Sequence, residues 1–213
     1  MGREFLNIFE DWAEQYDSSV YGHDEEYKEV FARYEEILQG TANAAFGNVI
    51  EFGVGTGNLT TKLLEKGLNV YGIEPSKPMR DLALEKLDNK VSIEDGDFLN
   101  FPLPEGQVDS IVSTYAFHHL TDLEKEEAVA KYGKFLQPGG KIIFADTMFE
   151  NEQSFIDTIE QAKQRQFNNL AEDLQREYYT TIPVLRAILE KHGFDVTFNR
   201  YNHFVWLLNA TKK

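Results

Sequence analysis

The run Val49-Ile50-Glu51-Phe52-Gly53-Val54-Gly55-Thr56-Gly57-Asn58 constrains this chain more than any other stretch. Three apolar residues around one acid suit a short buried strand, and the glycines that follow cannot continue it. Leu59, Leu63 and Leu64 then recur at helical spacing until Gly67 closes the segment. Strand, glycine turn and helix in that order predict a nucleotide-binding turn. Glycines let a ligand approach the main chain closely, and the amides that open the helix point into the turn. Taken alone, the same run also reads as an ordinary strand-to-helix connection.

The glycine spacing separates ligand classes. A dinucleotide fingerprint is G-x-G-x-x-G, with the backbone packed against a pyrophosphate. Here the run is G-x-G-x-G, and Asn58 stands where that fingerprint wants its last glycine. Glu51, two residues ahead of the first glycine, would repel a pyrophosphate. An acid there suits a ligand with positive charge, such as the amino group of S-adenosylmethionine.

The second strand, residues 68–74, ends in Glu74, which falls 21 positions after Gly53. Nucleotide-binding folds place a carboxylate at that spacing against ribose hydroxyls, and an acceptor-only group can serve two vicinal hydroxyls. Glu74 could instead cap the helix opening at Pro75-Ser76-Lys77-Pro78. A third strand, 91–94, leads to Asp95-Gly96-Asp97-Phe98. Asp97, just past a strand end, suits the exocyclic amine of a purine, with Phe98 stacking or packing beside it, and Asp95 suits a turn. Strand four, 108–113, runs into Tyr115-Ala116-Phe117-His118-His119, and a capping box, Thr121-x-x-Glu124, opens the next helix. Pro138-Gly139-Gly140 turns into strand five, 141–146. This alternation predicts a parallel sheet with right-handed crossovers and helices on both faces.

Both flanks are helical in pattern. Phe5, Ile8, Phe9 and Trp12 recur at helical spacing, as do Val30, Phe31, Tyr34, Ile37 and Leu38. Trp12 and Tyr16 read either as pocket-lining aromatics of a lid or as core anchors. After strand five, Phe155, Ile156, Ile159 and Phe167 mark a helix, and a polar helical stretch reaches Tyr178 and Tyr179. A helix from Thr181 to His192 follows. Two strands, 194–200 and 203–208, are joined by a turn short enough to make them antiparallel.

Length and charge narrow the rest. At 213 residues the chain is expected to be one domain. Its parts are an N-terminal helical lid (1–47), a cofactor-binding core (48–150), a helical insertion (151–180) and a C-terminal helix with a strand pair (181–213). There is no cysteine, which excludes disulfides and a cysteine nucleophile. No apolar run is long enough to span a bilayer, so a soluble, cytoplasmic protein is expected. Net charge is −15, with 11 acids against 3 bases in residues 1–50 and 17 against 10 in 51–150. With no basic stripe in sight, a nucleic-acid partner is not expected.

The motifs Glu51-x-Gly53-x-Gly55-x-Gly57, Glu74, Asp97-Phe98 and Pro138-Gly139-Gly140, with the antiparallel final pair, resemble class I S-adenosylmethionine-dependent methyltransferases. A closer resemblance is to the small bacterial methyltransferases of the YrrT type. It rests on Met1-Gly2-Arg3-Glu4-Phe5-Leu6, on Gly22-His23-Asp24-x-x-Tyr27-Lys28-Glu29-Val30-Phe31, and on Gly57-Asn58-Leu59-Thr60. The resemblance implies a doubly wound, mostly parallel, seven-stranded Rossmann-like sheet with an antiparallel final strand. It also implies S-adenosylmethionine as cofactor, S-adenosylhomocysteine as product, and cofactor contacts at Gly53, Glu74 and Asp97.

His118 and His119 stand at the C-terminal end of strand four, where a general base would act on an acceptor. They serve equally as caps or packing at the start of the next helix. No metal is expected, because adjacent histidines diverge and no third ligand stands at zinc-type spacing. Tyr16, Tyr178, Tyr179 and His203 are lesser pocket candidates. Ser113-Thr114-Tyr115-Ala116 differs from the Asn/Asp-Pro-Pro-aromatic run of amino-methylating DNA and protein-glutamine enzymes. With the acidic charge, this favours a small-molecule acceptor. Two other readings stay open: a non-catalytic S-adenosylmethionine-binding protein, and a nicotinamide-dependent oxidoreductase on a related fold.

Overall fold

The structure is a computed structural model that describes Val20 and residues 24–213. Its strands, in chain order, are β1 (Asn48–Phe52), β2 (Asn69–Ile73), β3 (Ser92–Glu94), β4 (Ser110–Thr114), β5 (Lys141–Phe149), β6 (Thr180–Thr181), β7 (Phe194–Arg200) and β8 (Val205–Lys212). They join in the order β3-β2-β1-β4-β5-β8-β7, with β6 added to β5. The pairs from β3 through β5 are parallel, whereas β8 runs antiparallel to both β5 and β7. Strand order reverses between β1 and β4, so the loops after these two strands flank the crevice where open α/β sheets bind ligands. The mostly parallel sheet with an antiparallel final strand is the expected architecture.

Alternation along the strands shows why both faces must be covered. Val49, Val112, Ile143 and Leu207 point to one face and join α1 (Tyr34–Ala44) and α2 (Asn58–Glu65) through Ile37, Leu38, Leu59 and Leu63. Ile50, Phe52, Ile111, Ile142 and Phe144 point to the other. There they meet Val129 and Tyr132 of α4 (Asp122–Phe135), which follows α3 (Lys77–Lys86) in the chain. α5 (Glu152–Gln164), α6 (Asn168–Arg176) and α7 (Ile182–Lys191) complete the set. Glu51 lies between Ile50 and Phe52, so the pleat turns its carboxyl to the α2 face. Among the described residues no helix is long and apolar enough to cross a membrane.

Several boundaries differ from those read in the sequence, each for a local reason. The helix expected from Val30 onward begins at Tyr34. Arg33 is left-handed (φ 64°), and the Asn202 amide donates to the carbonyls of Val30 (3.0 Å) and Ala32 (2.8 Å). Phe167 is not in the helix with Phe155. Gln166 at φ 62° breaks that helix, and Phe167 caps the next one. The stretch expected to stay helical to Tyr179 stops at Arg176, because the chain straightens at Glu177 and then pairs with β5 as β6. The last strand starts at Val205 rather than His203 and runs on to Lys212. Asn202 Oδ1 accepts from the amides of Phe204 (2.8 Å) and Val205 (2.6 Å) and holds the turn open by two more residues.

The segment before α1 is tied to the helices after β5. Tyr27 donates to Asp173, Glu26 accepts from the Leu170 amide at 3.0 Å, and Arg165 pairs with Glu29 at 2.6 Å. Tyr16 and Trp12 lie outside the described residues, as do Phe5, Ile8 and Phe9.

Candidate functional site

Two groups of polar residues stand along the C-terminal edge of the sheet. The first surrounds the glycine turn. Gly53 (φ 67°) and Gly55 (φ 56°) both occupy the left-handed region, where a side chain would be strained. At Gly53 a Cβ would also come within 2.8 Å of the Ala116 methyl, so this position must stay bare. At Gly55 no described atom lies within 4 Å of where a Cβ would stand, which leaves the backbone open to a ligand. Gly57 (φ 84°) precedes α2 and makes no side-chain cap, so the first amides of the helix face the turn.

Glu51 is 1% exposed. Its Oε2 accepts from the Thr60 hydroxyl at 2.8 Å, and its Oε1 has no hydrogen-bond partner among the described residues. Burial pushes this carboxyl up to about 8, the Thr60 bond pulls it back, and the Glu74 charge adds to the rise. Glu74, at the tip of β2, accepts from the Gly55 amide at 2.9 Å and the Ser76 amide at 2.8 Å. Burial raises its pKa against those two bonds. It therefore braces the glycine turn as well as the start of α3. Each oxygen of a carboxylate has a second lone pair, so two further donors can still be accepted.

Asp97 takes the turn role that its sequence position gave to Asp95. Its Oδ1 accepts from the amides of Leu99 (3.0 Å) and Asn100 (2.8 Å), while Asp95 faces Arg80 at 3.5 Å. Phe98 is buried among Phe52, Phe117 and Phe144, with ring centroids 5.1, 5.4 and 6.1 Å away. It packs in the core beneath the turn.

The second group follows β4. Tyr115 is left-handed (φ 54°), an uncommon state for an aromatic residue, and it swings the chain so that Ala116 meets Gly53. The 3₁₀ turn Phe117–His119 comes next. His118 Nδ1 donates to Asp146 Oδ1 at 2.6 Å, and its backbone amide donates to Asp146 Oδ2 at 3.0 Å. His118 Nε2 lies 3.3 Å from Glu177 Oε2, and the ring stacks on Tyr179 at 4.9 Å. Burial alone would lower the His118 pKa, but the charge and hydrogen bond of Asp146, with those of Glu177, carry it up to about 10. Burial would raise the Glu177 carboxyl, but the hydrogen bond and charge of His118, with His119 and the Tyr179 hydroxyl, together hold it down to about 2. His119, 8% exposed, is pushed down to about 3 by burial and then by the neighbouring His118 charge.

The structure thus brings Glu51, Gly53, Gly55, Gly57 and Glu74 together, and gathers His118 and His119 in a separate group. Sequence reading missed Asp146 and Glu177. Asp146 carried a signal, since it closes the strand expected at 141–146, whereas Glu177 carried none. A third group that sequence spacing does not show also stands near the histidines. Their rings are 4.2 Å apart, and one ligand atom each from His118, His119 and Glu177 lie within 4.8 Å of one another. Tyr178 is exposed and His203 sits in the final turn beside Arg200.

Residues 49–140 match the family described as a methyltransferase domain. A protein of Anoxybacillus flavithermus named as an uncharacterized methyltransferase is 62% identical over all 213 residues, covering 100% of both chains. A similarly named protein of Geobacillus sp. (strain WCH70) is 61% identical with the same coverage. Among solved structures, magnesium protoporphyrin IX methyltransferase from Synechocystis PCC 6803, with bound SAH, aligns at a TM-score of 0.74 and 15% identity. That alignment covers 99% of this chain and 98% of the other. The DhpI–SAH complex aligns at 0.69 and 17% identity, covering 100% and 97%. Identity across the whole length of such relatives, on a sheet of this order, leaves one assignment: the chain belongs to the methyltransferase family.

Proposed function

We propose that this protein transfers a methyl group from S-adenosylmethionine to a small-molecule acceptor. The observation that carries the reading is the buried Glu51 oxygen with no partner among the described residues, beside a glycine turn left open at Gly55. A carboxyl group in that state is stabilised by a cation, and the amino group of the cofactor supplies one. Glu74 accepts the ribose hydroxyls, and the amides of Gly53, Gly55 and Gly57 line the turn. Asp97 faces the purine amine, and Phe98 supports it from the core. The relatives' names and the S-adenosylhomocysteine or S-adenosylmethionine held by structural neighbours support the same cofactor. The runs at Gly22 to Phe31 and Gly57 to Thr60 support placing the chain with the YrrT-type enzymes.

Bound S-adenosylmethionine supplies an electrophilic methyl group, so the chain's task is to align an acceptor about 3–3.5 Å from it. The turn at His118 and His119 forms the acceptor side. His118 holds its proton between Asp146 and Glu177 and cannot take another, so of the two imidazoles only the neutral His119 is left to accept one, and burial makes it a weak base. The net charge of −15 favours a small acceptor over a nucleic acid.

Calorimetric titration with S-adenosylmethionine, S-adenosylhomocysteine and NAD tests this. The first two should bind and NAD should not; binding of NAD alone would transfer the site to an oxidoreductase. In Glu74→Ala, loss of two hydrogen bonds to a charged group should weaken binding about 100-fold or more. Unchanged affinity in a folded variant would sink the ribose assignment.

A further inference from the structure

We infer that His118, His119 and Glu177 form a site for a divalent transition-metal ion of the zinc or cobalt kind. The inference deepens the function proposed above and rests on its reading that this turn is the acceptor side. Two imidazoles and one carboxylate are the donor set of catalytic zinc sites, which keep a fourth position open. One ligand atom from each residue lies within 4.8 Å of the others, so a single ion would reach all three once the side chains draw together to tetrahedral spacing. His118 Nε2 and Glu177 Oε2 are 3.3 Å apart. Ligand atoms bound about 2.0–2.1 Å from a tetrahedral ion stand about 3.3–3.4 Å apart, so this pair is already at the required spacing.

The surroundings match what such a site needs. Asp146 accepts from the other ring nitrogen of His118 at 2.6 Å, the carboxylate–histidine pairing that fixes ring orientation and leaves Nε2 facing the ion. Glu177 is anchored rather than loose. The Tyr178 amide donates to the His118 carbonyl at 3.0 Å, and Lys125 bridges the carbonyls of Leu120 and Tyr178. The Tyr179 hydroxyl donates to Glu177 Oε2 at 2.7 Å. An ion at Nε2 would displace the proton that His118 holds against Glu177, and with both imidazoles then neutral, Asp146 and Glu177 carry two negative charges that a divalent ion balances. The His118 and Glu177 side chains are 11% and 12% exposed, so the pair is not sealed from solvent. An ion there would anchor an oxygen-bearing acceptor, with His119 as its ligand in place of a base.

The test is titration of purified, EDTA-stripped protein with Co²⁺, followed by visible absorption, and with Zn²⁺ by calorimetry, both without S-adenosylmethionine. We expect saturation at about one ion per chain. Glu177→Gln should weaken binding more than about 10-fold, and Asp146→Asn by about 10–100-fold. His192→Ala, a histidine paired with Glu126 away from the cluster, should bind as the parent does. Absence of saturable binding, or equal affinity in folded Glu177→Gln, overturns the proposal. Should Glu177→Gln fail to fold, imidazole NMR of the parent decides. Zn²⁺ must shift His118 and His119 and leave His192 and His203 in place; the reverse pattern marks an adventitious ion and ends the inference. The same stripped sample is titrated with S-adenosylmethionine. Cofactor binding without metal binding defeats this site alone, and metal binding without cofactor binding supports it while defeating the function proposed above.

Discussion

At the tip of β1, Glu51 is buried with one oxygen on Thr60 and the other facing no donor among the described residues. Just beyond the last β4–β5 pair, Asp146 is buried too, yet it accepts from the His118 ring, the His118 amide and the Thr147 amide. The same chemical group therefore sits in opposite states along one sheet. Burial drives Glu51 up to about 8, whereas Asp146 is lowered because His118 outweighs burial. The contrast separates an electrostatic demand that a ligand must meet from one that the fold has met internally. Glu51 is poised to take a cation, and Asp146 holds a wall of the site in place.

The largest effect that breaks this contrast belongs to Asp146. Removing one partner of a buried ion pair costs about 3–5 kcal/mol, because the other charge is left uncompensated. Glu177 still faces His118 from the other side, so Asp146→Asn belongs near the lower figure, about 3 kcal/mol. At about 2–4 °C per kcal/mol for a chain of this size, Tm in EDTA should fall by roughly 6–12 °C. A scan by circular dichroism measures it. A fall no larger than that of Glu51→Gln would erase the distinction between the two carboxyls.

How much of each region was legible follows from how each is built. Glu51, Gly53, Gly55 and Glu74 lie within one strand–turn–helix–strand unit, and local spacing rules connect them. The parallel core was legible for the same reason, because each strand announced itself by its own residues. The His118 group is assembled by tertiary packing. Asp146 is 28 residues away, and Glu177 comes from the straightened end of α6, after a helix that the sequence pattern extends to Tyr179. The start of α1 was misread similarly: Val30 and Phe31 have helical spacing, but a side chain 172 residues away takes the Val30 carbonyl. Asp97 shows that position alone does not reveal every role, since its place past β3 suits a ligand contact while its Oδ1 also accepts from turn amides.

Glu51→Gln sharpens the comparison from the other side, through binding. An ammonium–carboxylate hydrogen bond is worth about 1.5–3 kcal/mol, so S-adenosylmethionine affinity should fall about 10–100-fold while Tm at pH 6 does not fall. The pH dependence carries a definite sign. The folded value, about 8, lies above the ordinary 4.5, so the folded protein holds a proton that the unfolded chain has released. This group's favourable contribution is full below 4.5 and is lost as pH rises toward about 8. The slope is at most about 1.4 kcal/mol per pH unit. Glu51→Gln should remove that slope from a series of chemical denaturation curves. Binding should also release a proton near neutral pH, seen as a buffer-dependent calorimetric enthalpy in the parent and not in the variant. An identical slope in both proteins would show that Glu51 is not the titrating group.

The smallest effect is the most specific. Thr60 is fully buried on α2, and its hydroxyl gives Glu51 the hydrogen bond at 2.8 Å. Thr60→Val keeps the shape and removes only that donor, at a cost of about 1 kcal/mol. The bond favours the ionised carboxyl, so its loss should move the Glu51 midpoint further upward and lower cofactor affinity by about 5-fold at pH 7. Tm should drop more at pH 8.5, where Glu51 is mostly ionised, than at pH 6, where it holds its proton. A drop of equal size at both values would mean that Thr60 matters for packing alone. The open oxygen of Glu51 would then have to be explained without any demand for charge, and the contrast with Asp146 would reduce to one of geometry.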